Sequence, residues 1–391
     1  MISVAEALAH LFALAKPLDT EVVPLKHAGG RVLAQDASAR RDQPPFSASA
    51  MDGYAVRDKD VKPGAVLTMI GESAAGHRFD GKISAGECTR IFTGAPLPKG
   101  ADRIVIQEDV IVNGNQITIG DNLDSNHYVR AKGFDFRDGQ SIAAPKKLRP
   151  SDIALLAAMN VPEVSVTRKP KVAILSTGDE LVMPGETPND DQIIASNSFG
   201  LYAMLQDLGA DPRLLPIARD SEESLRTAFE LANDVDLLLT IGGASVGDHD
   251  LVGKVAADLG MARAFYKIAM RPGKPLMAGR LKSGAMMIGL PGNPVSAMVC
   301  GKVFVEPVIR AMLGLGTSPA PEFTAPLAAE ITANGPREHY MRAQLTDGQV
   351  TVFDRQDSAL LSVLADANIL VIRPPNDPAR KTGEVMRCIT I

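Results

Sequence analysis

The sequence predicts a multidomain α/β protein whose largest domain is a doubly wound, mainly parallel sheet. With 391 residues the chain is too long for one ordinary core, so two to four domains are expected. Between residues 171 and 312, apolar runs typical of buried strands alternate with segments of helical spacing. On either side of that region the apolar runs are short and separated by Gly, Pro and Asn, as in small β domains.

Composition and charge exclude several classes of function. The chain is 45% apolar and 22% charged, with a net charge of −5 and no block of basic residues, so we expect no nucleic-acid partner. The cysteines Cys88, Cys300 and Cys388 are too far apart for a metal-binding spacing, which favours a reducing compartment. No run approaches the roughly 20 apolar residues of a membrane span, and Glu6 in the first turn argues against a signal peptide. We therefore expect a cytoplasmic protein with no membrane partner.

The first part of the chain is predicted to contain a helix, a linker domain and an inserted β domain. Ser3 and Glu6 form a capping-box pattern that opens an amphipathic helix, which ends before Pro17. Pro44 and Pro45 interrupt regular structure, and Asn113-Gly114 between two apolar runs predicts a hairpin. The assigned boundaries are 46–131 for the inserted β domain, and 17–45 with 132–168 for a mixed α/β linker domain.

The central region supplies the strands and helices of the parallel sheet. Strands are predicted at residues 172–175, 214–217, 235–239, 265–268 and 286–290, and helices at 196–208, 220–231 and 295–312. Ser196 is the expected N-cap of the first helix and Gly209 its stop, while Asp220 with Glu223 is expected to cap the second. The sheet domain therefore comprises residues 1–16 and 169–318, and residues 319–391 form a small, barrel-like C-terminal β domain.

The stretch from Thr240 to Asp250 is the strongest candidate for a ligand site. It follows an apolar strand, and Gly242-Gly243 lets the backbone turn sharply and approach a bound group closely. Asp248 and Asp250 lie where the turn enters the next segment, where carboxylates bind a cation or orient a polar ligand. For this loop alone, an ordinary strand-to-helix turn with an acidic helix start is the alternative interpretation.

Other loops favour the ligand site, because ligands of open α/β sheets lie outside the carboxyl ends of the strands. Residues 176–181 follow the first strand, and residues 291–296 follow the last. The latter expose backbone N–H groups at a helix start with Pro294 in first position, which suits an anion. Residues 265–275 supply the cations of Lys267, Arg271 and Lys274, which suit phosphate or another oxyanion.

Carboxylates near these cations predict a metal as well as an anion. Glu180, Asp220, Asp248 and Asp250 are expected at the same edge, and a phosphorylated ligand with Mg²⁺ accounts for both signs of charge. The sequence contains no P-loop, dinucleotide fingerprint or nucleophile elbow, which disfavours those enzyme classes. The six histidines are scattered, so no zinc site is expected.

Six motifs occur in order over nearly the whole chain. They are Pro44-Pro45-Phe46 with Ser49-Ala50-Met51-Asp52-Gly53-Tyr54-Ala55-Val56-Arg57, then Ile91-Phe92-Thr93-Gly94-Ala95-Pro96, Ser176-Thr177-Gly178-Asp179-Glu180-Leu181, the stretch from Thr240 to Asp250, Arg271-Pro272-Gly273-Lys274-Pro275, and Gly289-Leu290-Pro291-Gly292-Asn293-Pro294-Val295-Ser296. In these motifs the chain resembles the MoeA and gephyrin E-domain family of molybdopterin molybdenumtransferases. The resemblance implies that the chain binds adenylylated molybdopterin, cleaves it with Mg²⁺ to release AMP, and inserts molybdate at the dithiolene.

The loops and the resemblance together imply roles for individual residues. Asp52, Glu180, Asp250, Lys267 and Arg271 would be catalytic, and Glu180, Asp248 and Asp250 would bind the metal. Contacts to the substrate are expected from Thr93, Arg130, Asp135, Thr177, Gly178, Asp220, Gly242, Gly243, Ser245, Lys274, Pro291, Gly292, Asn293 and Pro294.

Some of these residues depart from the family pattern or allow a structural interpretation. Arg271 stands where many members have Lys, which keeps the charge but replaces a point donor with a planar fork. The segment around Asp135 differs from the more usual Glu-Asp-Ile form. Asp52 in Met-Asp-Gly-Tyr is also compatible with a turn former, and Arg130 with Lys132 is compatible with a solvated surface.

Two other functions remain open at this point. A molybdopterin adenylyltransferase would lack the two β domains and the motif from Met51 to Tyr54, and a non-enzymatic scaffold of the gephyrin type would lack the charged site residues. Chain length and the presence of those residues favour the insertase. The family further implies a homodimer whose site is shared between chains, with the Asp52 region of one chain facing the sheet edge near Asp250 of the other. An adenylyltransferase would be the partner that donates the substrate.

Overall fold

The structure is a computed structural model that describes residues 1–243 and 251–391 and divides into two compact units. The large unit comprises Met1–Glu21, Gly30–Ala34 and Val166–Ile391, and the small unit comprises Val22–Gly29 and Gln35–Ser165. Among the described residues, no helix is both long and apolar enough to cross a membrane. The four domain boundaries given above stay a prediction.

The predicted N-terminal helix is confirmed and spans Val4–Leu14. The Ser3 hydroxyl accepts the Glu6 amide at 3.1 Å, and the Glu6 carboxylate accepts the Ser3 amide at 2.7 Å. This capping box satisfies two of the amide groups that a helix start leaves unpaired. Leu8 and Leu11 are buried in the core of the large unit, so the helix is fixed to the sheet by its apolar face.

The central sheet of the large unit has six strands among the described residues. In spatial order these are Asp211–Leu214, Lys171–Ser176, Leu237–Ile241, Met286–Leu290, Met277–Arg280 and Ala262–Tyr266. The first four are parallel to one another, and the last two are antiparallel to their neighbours. The α/β fold class with a mainly parallel sheet is therefore confirmed.

Three strand predictions were displaced, since the strand expected at 235–239 spans Leu237–Ile241, and the strand Met277–Arg280 of this sheet was missed. The strand expected at 214–217 spans Asp211–Leu214, an edge strand with one neighbour and therefore little need for an apolar run. The strand expected at 265–268 spans Ala262–Tyr266. The strand Ala262–Tyr266 pairs with Met277–Arg280, which is the strand that was missed. Met277–Arg280 contains a glycine and no β-branched residue, so the sequence of this strand gives a weak signal.

Helices cover both faces of this sheet, as the alternating pattern predicts. Val172 and Ile174 pack into one core with the helices Val4–Leu14 and Asn197–Leu208 and with the helical run from Pro294–Cys300 through the π-turn Gly301–Val305 to Glu306–Met312. Ala173 and Leu175, which alternate with them, pack into a second core with the helices Glu222–Glu230 and Leu251–Asp258. Burial on both faces explains why the central strands are continuously apolar.

The expected helix caps need one correction. The N-cap of Glu222–Glu230 is Ser221 and not Asp220, because the Ser221 hydroxyl accepts the Ser224 amide at 3.3 Å. The Asp220 amide instead donates to the Asp179 carboxylate at 3.2 Å. Ser196 occupies the cap position of Asn197–Leu208 without a side-chain cap bond, and Gly209 ends that helix in the left-handed conformation with φ 92°.

The small unit contains a second, largely antiparallel sheet within its described residues. Its spatial order is Arg103–Ile106, Gly53–Val56, Glu87–Ile91, Val66–Ser73, Gln116–Ile119 and Val110–Asn113. The last two strands form the hairpin predicted at Asn113-Gly114, with Asn113 opposite Gln116. Other elements of this unit or its boundaries are the helix Pro150–Ala158 and the strands Thr20–Pro24, Ala37–Ser38, Ala48–Ser49, Val129–Arg130, Ser141–Ile142, Lys146–Lys147 and Glu163–Thr167.

The C-terminal part of the large unit forms a barrel-like β domain, as expected. Its strands are Glu322–Pro326, Val385–Thr390, Ile369–Arg373, Glu338–Thr346 and Gln349–Val352 in spatial order, each antiparallel to the next. A bridge between Leu327 and Val350 returns from the first strand to the last, so backbone pairing continues around the sheet. A short helix, Leu361–Asp366, was not predicted.

A buried ion pair stabilises one end of this barrel. Arg373 and Asp377 are 1% and 5% exposed and form a charge-assisted hydrogen bond, and Arg373 also donates to the carbonyl oxygens of Thr332 and Pro378. Hydrogen bonds from Arg380 and Arg373 lower the pKa of Asp377. Neither charge reaches water freely, so Arg373 depends on Asp377 as its counter-charge, while Asp377 also accepts hydrogen bonds from Arg380.

Asp377→Ala is expected to lower the free energy of unfolding by about 3–5 kcal/mol, because it leaves the Arg373 guanidinium buried without its counter-charge. Glu322→Ala is the matched control, since it removes the partner of Arg387 in an ion pair whose side chains are 34% and 53% exposed. That change should cost under ~1 kcal/mol. Denaturant titration measures both, and equal losses would show that burial does not determine the effect.

Candidate active site

A cavity of about 640 Å³ opens at the carboxyl ends of the central parallel strands. It is lined by the turns that follow the strands Lys171–Ser176, Leu237–Ile241 and Met286–Leu290. Ten residues named as site candidates from the sequence contribute to its wall: Thr177, Gly178, Glu180, Asp220, Gly242, Gly243, Pro291, Gly292, Asn293 and Pro294. The three loops that the sequence places at one edge are thus adjacent in space.

The strand register brings these turns together. Ser176, Ile241 and Leu290 are opposite one another on neighbouring strands, so the three strands end at the same level. The backbone bonds continue one residue further, because the Thr177 amide donates to Ile241 and the Gly242 amide donates to Leu290. The first residue of each turn therefore has a fixed position relative to the others.

Glycine suits two points of these turns, Gly242 where two turns touch and Gly178 within the first turn. Gly242 has φ 90°, and a Cβ atom there would lie 2.7 Å from the carbonyl oxygen of Thr177. Gly178 has φ 147°, and a Cβ atom there would lie 2.4 Å from a carboxylate oxygen of Glu180. The Glu180 carboxylate is therefore folded against the bare backbone of Gly178, at the wall of the cavity.

The last turn connects the cavity to the C-terminal barrel. The Asn293 amide group donates to the Ser358 hydroxyl at 3.1 Å, and the Val295 amide donates to the Ser358 carbonyl at 3.0 Å. Asn197 donates from its side chain to the Gly292 carbonyl at 2.7 Å. Three contacts thus fix a turn that must present its backbone to a ligand.

Sequence reasoning missed several residues of the wall. Ile193, Ile194, Asn197, Pro275 and Ala359 line the cavity. Ile193 and Ile194 are 59% and 38% exposed, which is unusual for large apolar side chains at the entrance of a polar site. An apolar pair at a strand-like position gives no sign of exposure in the sequence. Asn197 follows the cap residue Ser196, and its contact with Gly292 depends on tertiary structure.

The three predicted cations lie outside the wall of this cavity. Arg271 and Lys274 are exposed, and Arg271 belongs to the strand Met270–Arg271, which runs parallel to Glu338–Thr346 of the barrel. Lys267 has φ 69° and places its Nζ 5.1 Å from the centre of the Tyr266 ring. Only Pro275 of this segment contributes to the wall among the described residues.

Positive charge nevertheless accumulates beside the Arg271 strand. Burial, together with the charges of Arg271, Arg373, Arg342 and Arg337, lowers the pKa of His339 to about 4. His339 is opposite both Arg271 and Arg373 in the strand register. This histidine is therefore neutral at pH 7, and the local field favours anions.

The carboxylates of the cavity fit a magnesium ion in part. Glu180 and Asp220 both contribute to the wall, and Mg²⁺ typically binds one or two protein carboxylates while water and phosphate oxygens complete its shell. The further candidates Asp248 and Asp250, like Ser245, lie outside the described residues. Within the described ranges no group of three or more His, Cys, Asp or Glu residues forms a metal cluster.

Asp52 lies in the small unit, immediately before the strand Gly53–Val56. One of its carboxylate oxygens accepts the Thr93 amide at 2.7 Å and the Thr93 hydroxyl at 2.8 Å. These two hydrogen bonds lower the pKa of Asp52, so the group is ionised at neutral pH. The two candidates Asp52 and Thr93, predicted separately, are therefore in direct contact.

Arg130 and Asp135, the other candidates in the small unit, have exposed side chains. Arg130 belongs to the strand Val129–Arg130, which pairs with Ala48–Ser49 just before the Asp52 turn. The Asp135 amide donates to the Gln43 carbonyl at 2.9 Å. Lys132 binds Asp42 at 3.1 Å.

Comparison with known proteins identifies the family. Three family models match in order: the MoeA N-terminal region (domain I and II) at residues 2–160, a probable molybdopterin binding domain at residues 173–311, and the MoeA C-terminal region (domain IV) at residues 324–391. A molybdopterin molybdenumtransferase of Nostoc sp. is 35% identical over 381 residues, which cover 94% of this chain and 87% of the relative. The chain belongs to the molybdopterin molybdenumtransferase family. The predicted enzyme family is thus confirmed.

Other relatives agree with this assignment. The molybdopterin molybdenumtransferase of Haemophilus influenzae is 37% identical over 301 residues, which cover 76% of this chain and 74% of the relative. A crystal structure of the molybdopterin biosynthesis MoeA protein of Pyrococcus horikoshii matches with a TM-score of 0.84 and 30% identity, covering 100% of this chain and 99% of that one. The similarity therefore extends over both units and the barrel.

Gly242→Ala is expected to lower the free energy of unfolding of the large unit by about 1–3 kcal/mol, because the new methyl group meets a backbone oxygen at a positive φ. Gly292→Ala is the matched control in the same cavity. Its Cβ atom would meet only the Gly242 Cα at 3.6 Å, an ordinary contact, so we expect a change within ~0.5 kcal/mol. Thermal unfolding of both variants measures this, and an equally tolerated Gly242→Ala would contradict the close approach of the two turns.

Proposed function

We propose that this chain is a molybdenum insertase that cleaves adenylylated molybdopterin, releases AMP and inserts molybdate at the dithiolene in a Mg²⁺-dependent reaction. The observation that carries the proposal is the cavity at the carboxyl ends of the parallel strands, lined by three glycine-containing turns and the carboxylates of Glu180 and Asp220. It lies in the region that matches a probable molybdopterin binding domain. Matches over residues 2–160 and 324–391 favour the insertase over a single-domain adenylyltransferase.

The shape and the lining of the cavity suit a pterin that carries phosphate groups. Its volume of about 640 Å³ is within the range of small-molecule sites. The exposed side chains of Ile193 and Ile194 offer an apolar surface to a planar ring. The turns at Gly242 and Pro291–Pro294 bring bare backbone close to the cavity, which suits phosphate oxygens.

Charged residues would stabilise the anions of the reaction. Glu180 and Asp220, with Asp248 and Asp250 as the further candidates, would bind Mg²⁺, which neutralises phosphate charge when it is present. Lys267, Arg271 and Lys274 would bind molybdate or phosphate, and the Arg271 guanidinium would do so through two parallel hydrogen bonds. Asp52, ionised through Thr93, would act on the substrate as a hydrogen-bond or proton acceptor.

AMP release from adenylylated molybdopterin should require both Mg²⁺ and molybdate, because the leaving phosphate must have its charge neutralised and the oxyanion completes the product. Chromatographic measurement of AMP with and without EDTA tests this requirement. Undiminished release in EDTA would contradict it.

Asp52→Ala and Glu180→Ala should abolish AMP release with melting temperatures close to that of the unmodified chain, since both residues lie in polar turns.

The working site is further proposed to be shared between the two chains of a homodimer. Asp52 belongs to the small unit and Glu180 to the large unit, and a symmetric dimer uses each surface twice. If Asp52→Ala and Glu180→Ala chains exchange subunits, mixed dimers should recover one intact site of two. Recovery of AMP release after mixing measures this. An inactive mixture with demonstrated exchange would place both residues in one chain's site.

A further inference from the structure

The guanidinium of Arg90 contacts two aromatic rings, those of Tyr54 and Phe92. Arg90 belongs to the strand Glu87–Ile91, and its Cζ is 5.0 Å from the centre of the Tyr54 ring and 4.9 Å from the centre of the Phe92 ring. Cation–π attraction to both rings restricts the rotation of the Arg90 side chain. Arg90 is therefore more constrained than an ordinary arginine of a strand.

The same guanidinium is linked by hydrogen bonds to the backbone carbonyls of Gly53 and Asp52. Its Nη1 donates to the Gly53 carbonyl at 3.3 Å, and its Nη2 donates to the Gln107 side-chain oxygen at 2.6 Å. The backbone amide of Gln107 donates to the Asp52 carbonyl at 3.1 Å. Arg90 thus acts on two successive carbonyl groups, directly at Gly53 and through Gln107 at Asp52.

Arg90 also acts on the donor that orients the Asp52 carboxylate. Thr93 supplies both hydrogen bonds to that carboxylate, and it directly follows Phe92, whose ring stacks on Arg90. One side chain therefore joins the segment that carries the carboxylate to the segment that carries its two donors.

We infer that Arg90 is a positioning residue for Asp52, setting the orientation of its carboxylate toward the substrate without touching the substrate itself. The inference rests on the proposed role of Asp52 in the reaction. A carboxylate displaced by about 1 Å costs on the order of 10²-fold in rate, so removal of Arg90 should lower kcat about 10- to 100-fold and leave KM within about threefold.

The sheet does not depend on the Arg90 side chain for its pairing. Arg90 is opposite Tyr54, and Gly53 is opposite Ile91, through backbone bonds that any residue can make. A Cβ atom at Gly53 would lie 2.1 Å from the Val105 carbonyl, so close packing of the backbone also fixes this strand. Variants of Arg90 are therefore expected to retain the fold.

The test is chemical rescue. Arg90→Ala removes the guanidinium but keeps its two acceptors and the two rings that it contacts. Guanidinium chloride at roughly 10 mM should therefore restore AMP release several-fold. Urea, which is planar but uncharged, should not. Arg90→Lys keeps the charge without the planar fork, so it should recover part of kcat. Arg78→Ala is the matched control, because Arg78 stacks at 5.7 Å on the single ring of Phe46; its activity should equal that of the unmodified chain.

Hydrogen–deuterium exchange gives a readout that does not require turnover. The Thr93 amide should exchange faster in Arg90→Ala and regain protection with guanidinium, because its bond to Asp52 depends on both segments. Full activity of Arg90→Ala, or a loss of activity and protection that guanidinium does not reverse, would overturn the inference. Absence of AMP release by the unmodified chain would contradict the proposed function instead, and the exchange of Thr93 would still decide the role of Arg90.

Discussion

The parallel pairing of the strands Lys171–Ser176, Leu237–Ile241 and Met286–Leu290 is the constraint on which the rest of the site depends. Burial on both faces fixes the strands laterally, and the register that places Ser176, Ile241 and Leu290 side by side makes them end at one level. The turns that follow are therefore neighbours in space. This is the physical reason that ligands of open α/β sheets bind at the carboxyl edge.

Both candidate centres have a glycine next to or near the candidate carboxylate in the chain. Glu180 folds over Gly178 in the large unit, and Asp52 directly precedes Gly53, which packs against the Val105 carbonyl in the small unit. Glycine brings the chain close enough for neighbouring backbone and side chains to orient the carboxylate. The Asp52 carboxylate shows the result, since two hydrogen bonds from Thr93 reach one of its oxygens. Function at such positions depends on orientation more than on residue type alone.

The sequence predicts the features that depend on local chemistry. The Ser3 cap, the Asn113-Gly114 hairpin and the alternation of strands and helices all follow from short-range patterns, and the family motifs name the turns around the cavity. The sequence does not predict the features that depend on tertiary contacts. The strand Met277–Arg280 forms because its neighbours offer it an edge, and the exposure of Ile193 depends on the position of the two-residue strand Ile193–Ile194 at the cavity entrance. The contacts of Arg90 join its own segment to those of Tyr54 and Gln107, and no local pattern of the sequence relates these three segments.

In the proposed function, the three turns at the sheet edge bind the adenylylated pterin. A crystal structure of the protein with adenylylated molybdopterin, grown without molybdate so that the substrate persists, tests it most directly. Electron density for the ligand is expected in the cavity lined by Thr177, Gly242 and Gly292, with the ring against Ile193 and phosphate oxygens at the turn backbones. Density for the pterin at another surface, with this cavity empty, would show that these turns are not the binding site.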